Sequence, residues 1–399
     1  MNTHRSRLKS WSSRWAPALS YAALGLCCQS ALAAYSPTDP VYVFADAGLR
    51  FDDNVLLLNP GQSVPAGYGT GQRGDWIRSA SAGLHAETGW SRQHLSLDSQ
   101  YAQNEYAHYH SVSYNSWQNT LDWDWALGDR LTGAVTAQDH DDLSGAGYVA
   151  GGQNDLTRNR TISSSVAWAY ANGLTFDGSA LRTVERHSLM QDYDFDQNSA
   201  SSGATWTTGR GSSLGLHVDN RQVQYLQDQS QAGYSDAYSL HYVRLDGVWP
   251  LTGKTRFSGR IGKVRLATSA RTTPSQSIGS LDVLWSMSGK TVLDLGWARD
   301  YDDPGRSVVP TVSDTESLKL TNQFSSKTSW SAELRRESRD YTSTAVGREN
   351  TTSLRLAMAW HPSTSVEVSP FVDQVLRSSD SVTDAYRDRQ IGTTVKLYF

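Results

Sequence analysis

Cysteine is nearly missing from this 399-residue chain: there are two, Cys27 and Cys28. Both sit in a first segment that reads as removable, so the rest holds none. That excludes a small scaffold stapled by disulfides. Long apolar runs are missing too. Beyond residue 33 no stretch approaches the roughly 18 consecutive apolar residues of a membrane-crossing helix, which excludes a helical membrane protein. A membrane protein built from strands stays open, because its lipid face takes only every second residue. Basic charge is also short. The first 33 residues hold four of the 36 Lys and Arg and none of the 40 Asp and Glu, leaving 32 against 40, a net −8. Nucleic acid wants a basic patch, so it is not an expected partner.

That first segment has its own logic. Arg5, Arg7, Lys9 and Arg14 precede a short, largely apolar stretch, Ala18 to Cys28. Ala31-Leu32-Ala33 then offers a small-x-small cleavage pattern. The expectation is a secretory signal over 1–33, cut after Ala33, followed by one domain over 34–399.

What the chain does have is alternation. Ile391, Thr393, Val395, Leu397 and Phe399 alternate with Gly392, Thr394, Lys396 and Tyr398. Successive side chains of a strand face opposite sides, so one side here is mostly apolar and the other polar or small. The pattern recurs in Trp117–Trp125, Leu293–Ala298 and Leu354–Trp360. Tight-turn signals punctuate it at Gly89-Trp90, Gly128-Asp129, Asn172-Gly173, Gly209–Gly211, Thr252-Gly253, Ser288-Gly289, Ser326-Lys327 and Pro362-Ser363. Between them lie longer polar connectors: 52–74, 107–113, 141–156, 187–194, 226–235, 269–276, 302–313, 342–349 and 378–385.

Short and long connections taking turns along the whole chain predict an all-β transmembrane barrel. It is antiparallel and up-and-down, with about eighteen strands, short periplasmic turns and longer extracellular loops. Both termini then lie on the periplasmic side of a bacterial outer membrane. A β-propeller repeats at a similar period but needs four short strands per repeat, where this chain offers two long ones. The strand pattern is weakest over 236–249, where both parities carry apolar residues and a bulge is an open alternative.

The barrel reading assigns roles. Trp90, Trp125, Trp206, Trp249, Trp330 and Trp360 sit beside the short turns and would form a membrane girdle. Strand parity sends Asp122, Asp124, Arg256, Arg260, Glu333, Arg335, Arg355, Lys396 and Tyr398 to the lumen as candidates for a solute path. Val395, Leu397 and Phe399 would carry the signal read by the outer-membrane assembly machinery. A lumen with both charge signs is wet, and wide enough at this strand number to pass solutes. Outer-membrane lipids and lipopolysaccharide are the surrounding partners.

Other motifs yield little. Gly211-Ser212-Ser213-Leu214-Gly215 fits a hydrolase pattern but lacks the strand–turn–helix setting, so no enzyme is expected. Asp192, Asp194 and Asp196 lack the remaining calcium-loop positions. Like the acidic groups Asp139–Asp142 and Asp300–Asp303, they read as solvated loop carboxylates near extracellular loops. His108 and His110 alone make no metal site, and no cofactor motif is present.

Three stretches carry a resemblance: FDDNVLLL at Phe51–Leu58, the run Gly83–Tyr106, and WDWALGDRLTG at Trp123–Gly133. Together they resemble the EpsL-type proteins, porin-like barrels of exopolysaccharide biosynthesis operons. Val55–Leu58 depart from that pattern, standing where an aromatic and a basic residue belong. The resemblance implies a part in polysaccharide export, with partners in the periplasm. A general or sugar-uptake porin and a structural or adhesive barrel are the alternatives. The Pro- and Gly-rich 52–74 connector reads as a mobile lid, which favours export over a porin.

Overall fold

The computed structural model describes residues 35–36, 38–149, 153–227, 236–268, 274–302, 310–341, 347–380 and 385–399. The signal segment with its cut after Ala33, Asp303 and parts of several long connectors lie outside the described residues. The strands are β1 (Val41–Asp52), β2 (Asp75–Trp90), β3 (Gln93–Tyr106), β4 (Tyr114–Leu127), β5 (Leu131–Val149), β6 (Gln153–Ala171), β7 (Leu174–His187), β8 (Phe195–Thr207) and β9 (Ser213–Tyr225). They continue as β10 (Ala237–Pro250), β11 (Thr255–Thr268), β12 (Gln276–Ser286), β13 (Thr291–Tyr301), β14 (Val312–Gln323), β15 (Thr328–Tyr341), β16 (Gly347–Ser363), β17 (Val366–Ser379) and β18 (Tyr386–Tyr398).

Each strand pairs antiparallel with its neighbours in sequence, and β18 pairs with β1, so the sheet of 18 closes on itself. Closure has a physical reason. A sheet edge in hydrocarbon would leave backbone N–H and C=O groups without partners, at several kcal/mol each. At the seam Phe44 lies opposite Tyr398, and the pairing runs unbroken to Asp52 opposite Gln390.

Alternation sorts the side chains. The outward face exposes Leu121, Trp123, Val243, Leu245, Ile261, Leu354, Leu356 and Ile391, each more than 39% exposed, as lipid contact requires. The inward face carries Asp, Glu, Arg, Ser, Thr and Gln, whose hydrogen bonds reach across strands. His217, for example, sits 3.1 Å from Asp177 and 2.8 Å from Asp246. Gly203 and Gly215 make room for that imidazole: a Cβ on Gly203 would overlap the ring.

Some boundaries differ from expectation. The β2–β3 turn is Ser91-Arg92, with Ser91 at φ 56°, rather than Gly89-Trp90. The last short turn follows Ser363, because the β16–β17 pairing shifts register between Trp360 and Ser363. The 141–156 connector is largely strand, since β5 and β6 extend into it. Over 236–249 there is no bulge, and β10 pairs continuously with β9 and β11. Apolar residues occupy both of its faces because Tyr238, Leu240 and Tyr242 join a buried cluster with Phe195, Val223, Tyr225, Val264, Leu266 and Ile278 on the inner wall.

The 52–74 connector is not a loose lid. Val55, Leu56, Leu58 and Tyr68 are buried and pack with Ile77, Tyr106, Tyr109 and Val112. Asn54 donates to the carbonyls of Leu58 and Arg387 at 2.9 and 2.8 Å, and the Tyr109 hydroxyl donates to the Gln72 carbonyl. Ile77 and Tyr106 belong to the inward face, so this loop folds over the long-loop mouth. Its Pro and Gly residues shape the turns, while Val55–Leu58 supply the anchor. Burial pushes the Tyr68 and Tyr109 phenols up.

Candidate functional site

The inner wall is the site, and strand register places its groups. Asp122 and Asp124 of β4 face inward beside Ser96 and His94 of β3, and Thr136 donates to Asp122 at 2.6 Å. Across β13 to β17 runs a row of alternating sign. Asp294 stands opposite Lys319, Lys319 opposite Glu333, Glu333 opposite Arg355, and Arg355 opposite Asp373. Arg355 closes on Asp373 at 3.0 Å and lies over the Phe371 ring. Arg335 is one inward position further along β15, 3.5 Å from Glu337.

Arg260 faces inward on β11 opposite Asp246 and reaches Asp300 at 3.4 Å. Arg256 faces the same way, opposite Pro250 and Leu284. The structure thus brings Glu333 and Arg355 together. It separates Asp122 and Asp124 from them by six to seven strands of the wall.

Lys396 and Tyr398 also face inward, but into an aromatic cluster near the short-turn end. The Lys396 ammonium lies 3.8 Å from the Phe44 ring centre, and Tyr398 stacks on Tyr35 at 4.9 Å. The Tyr398 hydroxyl donates to Glu367 at 3.3 Å. That contact orients the Lys396 cation against the wall and leaves its charge intact.

The six tryptophans Trp90, Trp125, Trp206, Trp249, Trp330 and Trp360 take outward positions near the short turns. Trp125 lies across Gly133 of the neighbouring strand. Val395 and Leu397 also point outward, and Phe399 exchanges backbone hydrogen bonds with Val43 at 2.9 and 3.2 Å.

The acidic groups do not converge. Asp194 accepts the His187 N–H at 2.6 Å, while Asp196 pairs with Arg186 at 2.5 Å. Asp139 binds Arg158 through two hydrogen bonds, and Asp302 binds Arg339 at 2.6 Å.

Three features were not read from the sequence. Among the described residues, the inward strand positions of β2 to β8 hold no Lys or Arg, but they hold Asp98, Asp122, Asp124, Asp177 and Glu185. Every inward strand cation lies on β9 to β18 or β1, so the lumen is polarised across its width. A per-strand count of inward charges could have found this. The second is an acidic trio at the seam, buried Asp52 and Asp388 with the more exposed Asp53, whose carboxylate oxygens lie within 4.8 Å of one another, with Gln390 donating to Asp52 and Asp388 at 3.0 Å each. No local signal links residues so far apart in sequence.

The third is a repeated clasp. Asp75 accepts the N–H groups of His108 and Tyr109 at 2.8 and 2.9 Å, and Asp155 accepts those of Leu189 and Met190 at 2.8 and 3.2 Å. Each holds a short 3-10 turn, His110–Val112 or Gln191–Tyr193. The parallel spacing of Asp75 to His110 and Asp155 to Gln191 was the available signal.

The fold and its inner wall define a transmembrane β-barrel of the outer-membrane kind. No protein-family model matches the chain, and no curated protein matches it. Among solved structures it is similar to the OccK2 (OpdF) protein of Pseudomonas aeruginosa, at 12% identity over 90% of this chain and 98% of that one, with a TM-score of 0.48. A BenF-like porin from Pseudomonas fluorescens Pf-5 is 10% identical over 90% and 99%, TM-score 0.46. The siderophore receptor PirA from Acinetobacter baumannii is 8% identical over 92% and 81%, TM-score 0.47. The fold assignment rests on the closed strand register, not on these likenesses.

Proposed function

We propose that this protein is an outer-membrane diffusion channel for small hydrophilic solutes, porin-like, passing cations more readily than anions. The observation that carries this is the transverse polarity of the lumen: an acidic half-wall without strand cations faces a half-wall of paired charges. Side chains lining a wet barrel tune what passes. The loop 53–74, docked on the inner wall, supplies the narrowing that a porin needs. On this reading the six tryptophans anchor the barrel at the periplasmic interface. Val395, Leu397 and Phe399 carry its assembly signal, and lipopolysaccharide surrounds its outer end.

The test is a planar bilayer with purified barrel under a salt gradient. Stepwise conductance with a cation-positive reversal potential supports the reading. A silent membrane sinks it and favours a structural or adhesive barrel.

Polysaccharide export is the second reading, carried by the EpsL-type resemblance of Phe51–Leu58, Gly83–Tyr106 and Trp123–Gly133. The docked loop weighs against it, because a polymer needs the mouth cleared. Deleting the gene in its host and following the exopolysaccharide decides between them: polymer lost from the medium restores export, and unchanged secretion removes it.

A further inference from the structure

On the outer face, several arginines near the long loops are matched by acids. Arg158 pairs with Asp139 at 2.7 Å and Arg299 with Asp314 at 2.6 Å. The outer face of β10 and β11 differs. Lys263 and Arg265 point outward on β11, and His241 of β10 lies opposite Arg265. All three side chains are exposed. Among the described residues neither Lys263 nor Arg265 enters an ion pair, and no outward position of β9 to β12 holds Asp or Glu. Amides and hydroxyls stand there instead. Asn220 lies opposite His241, Gln222 lies opposite Ser239, and Lys263 donates to the Ser277 hydroxyl at 2.8 Å. Eight positions separate His241 from Trp249, which stands beside the short turn. Tilted strands climb about 20 Å over that length, close to the roughly 25 Å of a lipid-facing band. These cations therefore stand at the long-loop edge of the band. Below them Val218, Val243, Leu245 and Ile261 are exposed. Gly247 lies opposite Gly259 at outward positions, leaving a furrow of bare backbone between Leu245 and Ile261 above and Trp249 and Phe257 below.

Phosphate oxygens accept charge-assisted hydrogen bonds from Lys and Arg. Cations clustered at a membrane surface attract anionic headgroups. Amides and hydroxyls match the donors and acceptors of a sugar, which a diacyl phospholipid lacks. We infer that the outer face of β10 and β11 is a binding site for a phosphorylated glycolipid of the outer leaflet. Its phosphate sits on Lys263 and Arg265, its sugar on the amides and hydroxyls around them, and one acyl chain in the furrow at Gly247 and Gly259. This rests on the reading that lipopolysaccharide surrounds the outer end of the barrel, and it is independent of conduction.

The test titrates detergent-folded, full-length barrel with bisphosphorylated lipid A and counts bound lipid by native mass spectrometry. Phosphate-free lipid A and phosphatidylglycerol are run beside it. The expected result is saturable binding of bisphosphorylated lipid A, tighter than that of either comparison lipid. Lys263→Gln and Arg265→Gln together weaken it about ten-fold or more, the scale of a lost charge-assisted hydrogen bond. A Cβ on Gly247 would meet only the Ser213 carbonyl oxygen, at 3.7 Å, so Gly247→Leu fills the furrow without a backbone clash and weakens binding as well. Arg336→Gln, outward on β15 opposite Glu316, leaves it unchanged. Phosphatidylglycerol bound as tightly as lipid A overturns the glycolipid assignment, and phosphate-free lipid A bound as tightly overturns the role of the two cations. Lipid A bound equally by wild type and the double variant overturns the site but leaves lipopolysaccharide around the barrel. Lipid A bound by no form removes both. Lipid A held at these residues by a barrel that carries no current leaves the site standing and removes the channel.

Discussion

Buried aspartates hold the long-loop end of this barrel by accepting backbone N–H groups. Asp155 is fully buried and serves Leu189, Met190 and the His187 imidazole, 2.6 Å away at Nδ1. Removing such an acceptor leaves donors unsatisfied, at about 1–3 kcal/mol each. Asp155→Ala is therefore expected to lower the melting temperature in detergent and to open the chain after His187 to protease. Asp155→Asn, which keeps an acceptor oxygen, should lose less. Equal losses from both variants would show that the charge, not the acceptor geometry, matters. Facing at this scale was legible in the sequence. Strand parity alone put Asp122, Glu333 and Arg355 on one side of the sheet and Trp249 on the other. What each side chain touches was not legible. Nothing local announces that Lys396 settles on Phe44, a residue brought beside it only by closure of the seam.

Loop 53–74 shows the same division between elements. Its Pro and Gly content suggested mobility, and composition of that kind does describe a chain without anchors. The anchor is the short apolar run Val55–Leu58, which buries against β2, β3 and the loop that follows β3. Val55 is 1% exposed, so Val55→Asp would place a charge in an apolar cluster at a cost of several kcal/mol. The loop should then leave the mouth, and single-channel conductance should rise. Unchanged conductance would mean that the loop does not narrow the path. The tryptophan positions give a second check. Trp249 and Trp206, both more than half exposed beside short turns, should be quenched by lipids brominated near the headgroup more than by those brominated at the chain end. The reverse order would place these turns away from the interface.

At the scale of the whole molecule the charge pattern becomes a field. Acidic β2 to β8 and mixed β9 to β18 face each other across one lumen, where low-dielectric walls strengthen their effect. Replacing Asp98, Asp122, Asp124 and Asp177 together by Asn should shift the reversal potential in a KCl gradient toward chloride. The Arg336→Gln change on the outer face should leave it unmoved. A quadruple variant with wild-type selectivity would place the filter elsewhere.

Alternation, turn spacing and the scarcity of cysteine and apolar runs determined a closed antiparallel barrel, because each strand's periodicity is a local property of the chain. The tertiary structure alone decided which charges become neighbours and where the loop docks. Those outcomes depend on register and closure, which join residues hundreds of positions apart and leave no mark in any short stretch of sequence.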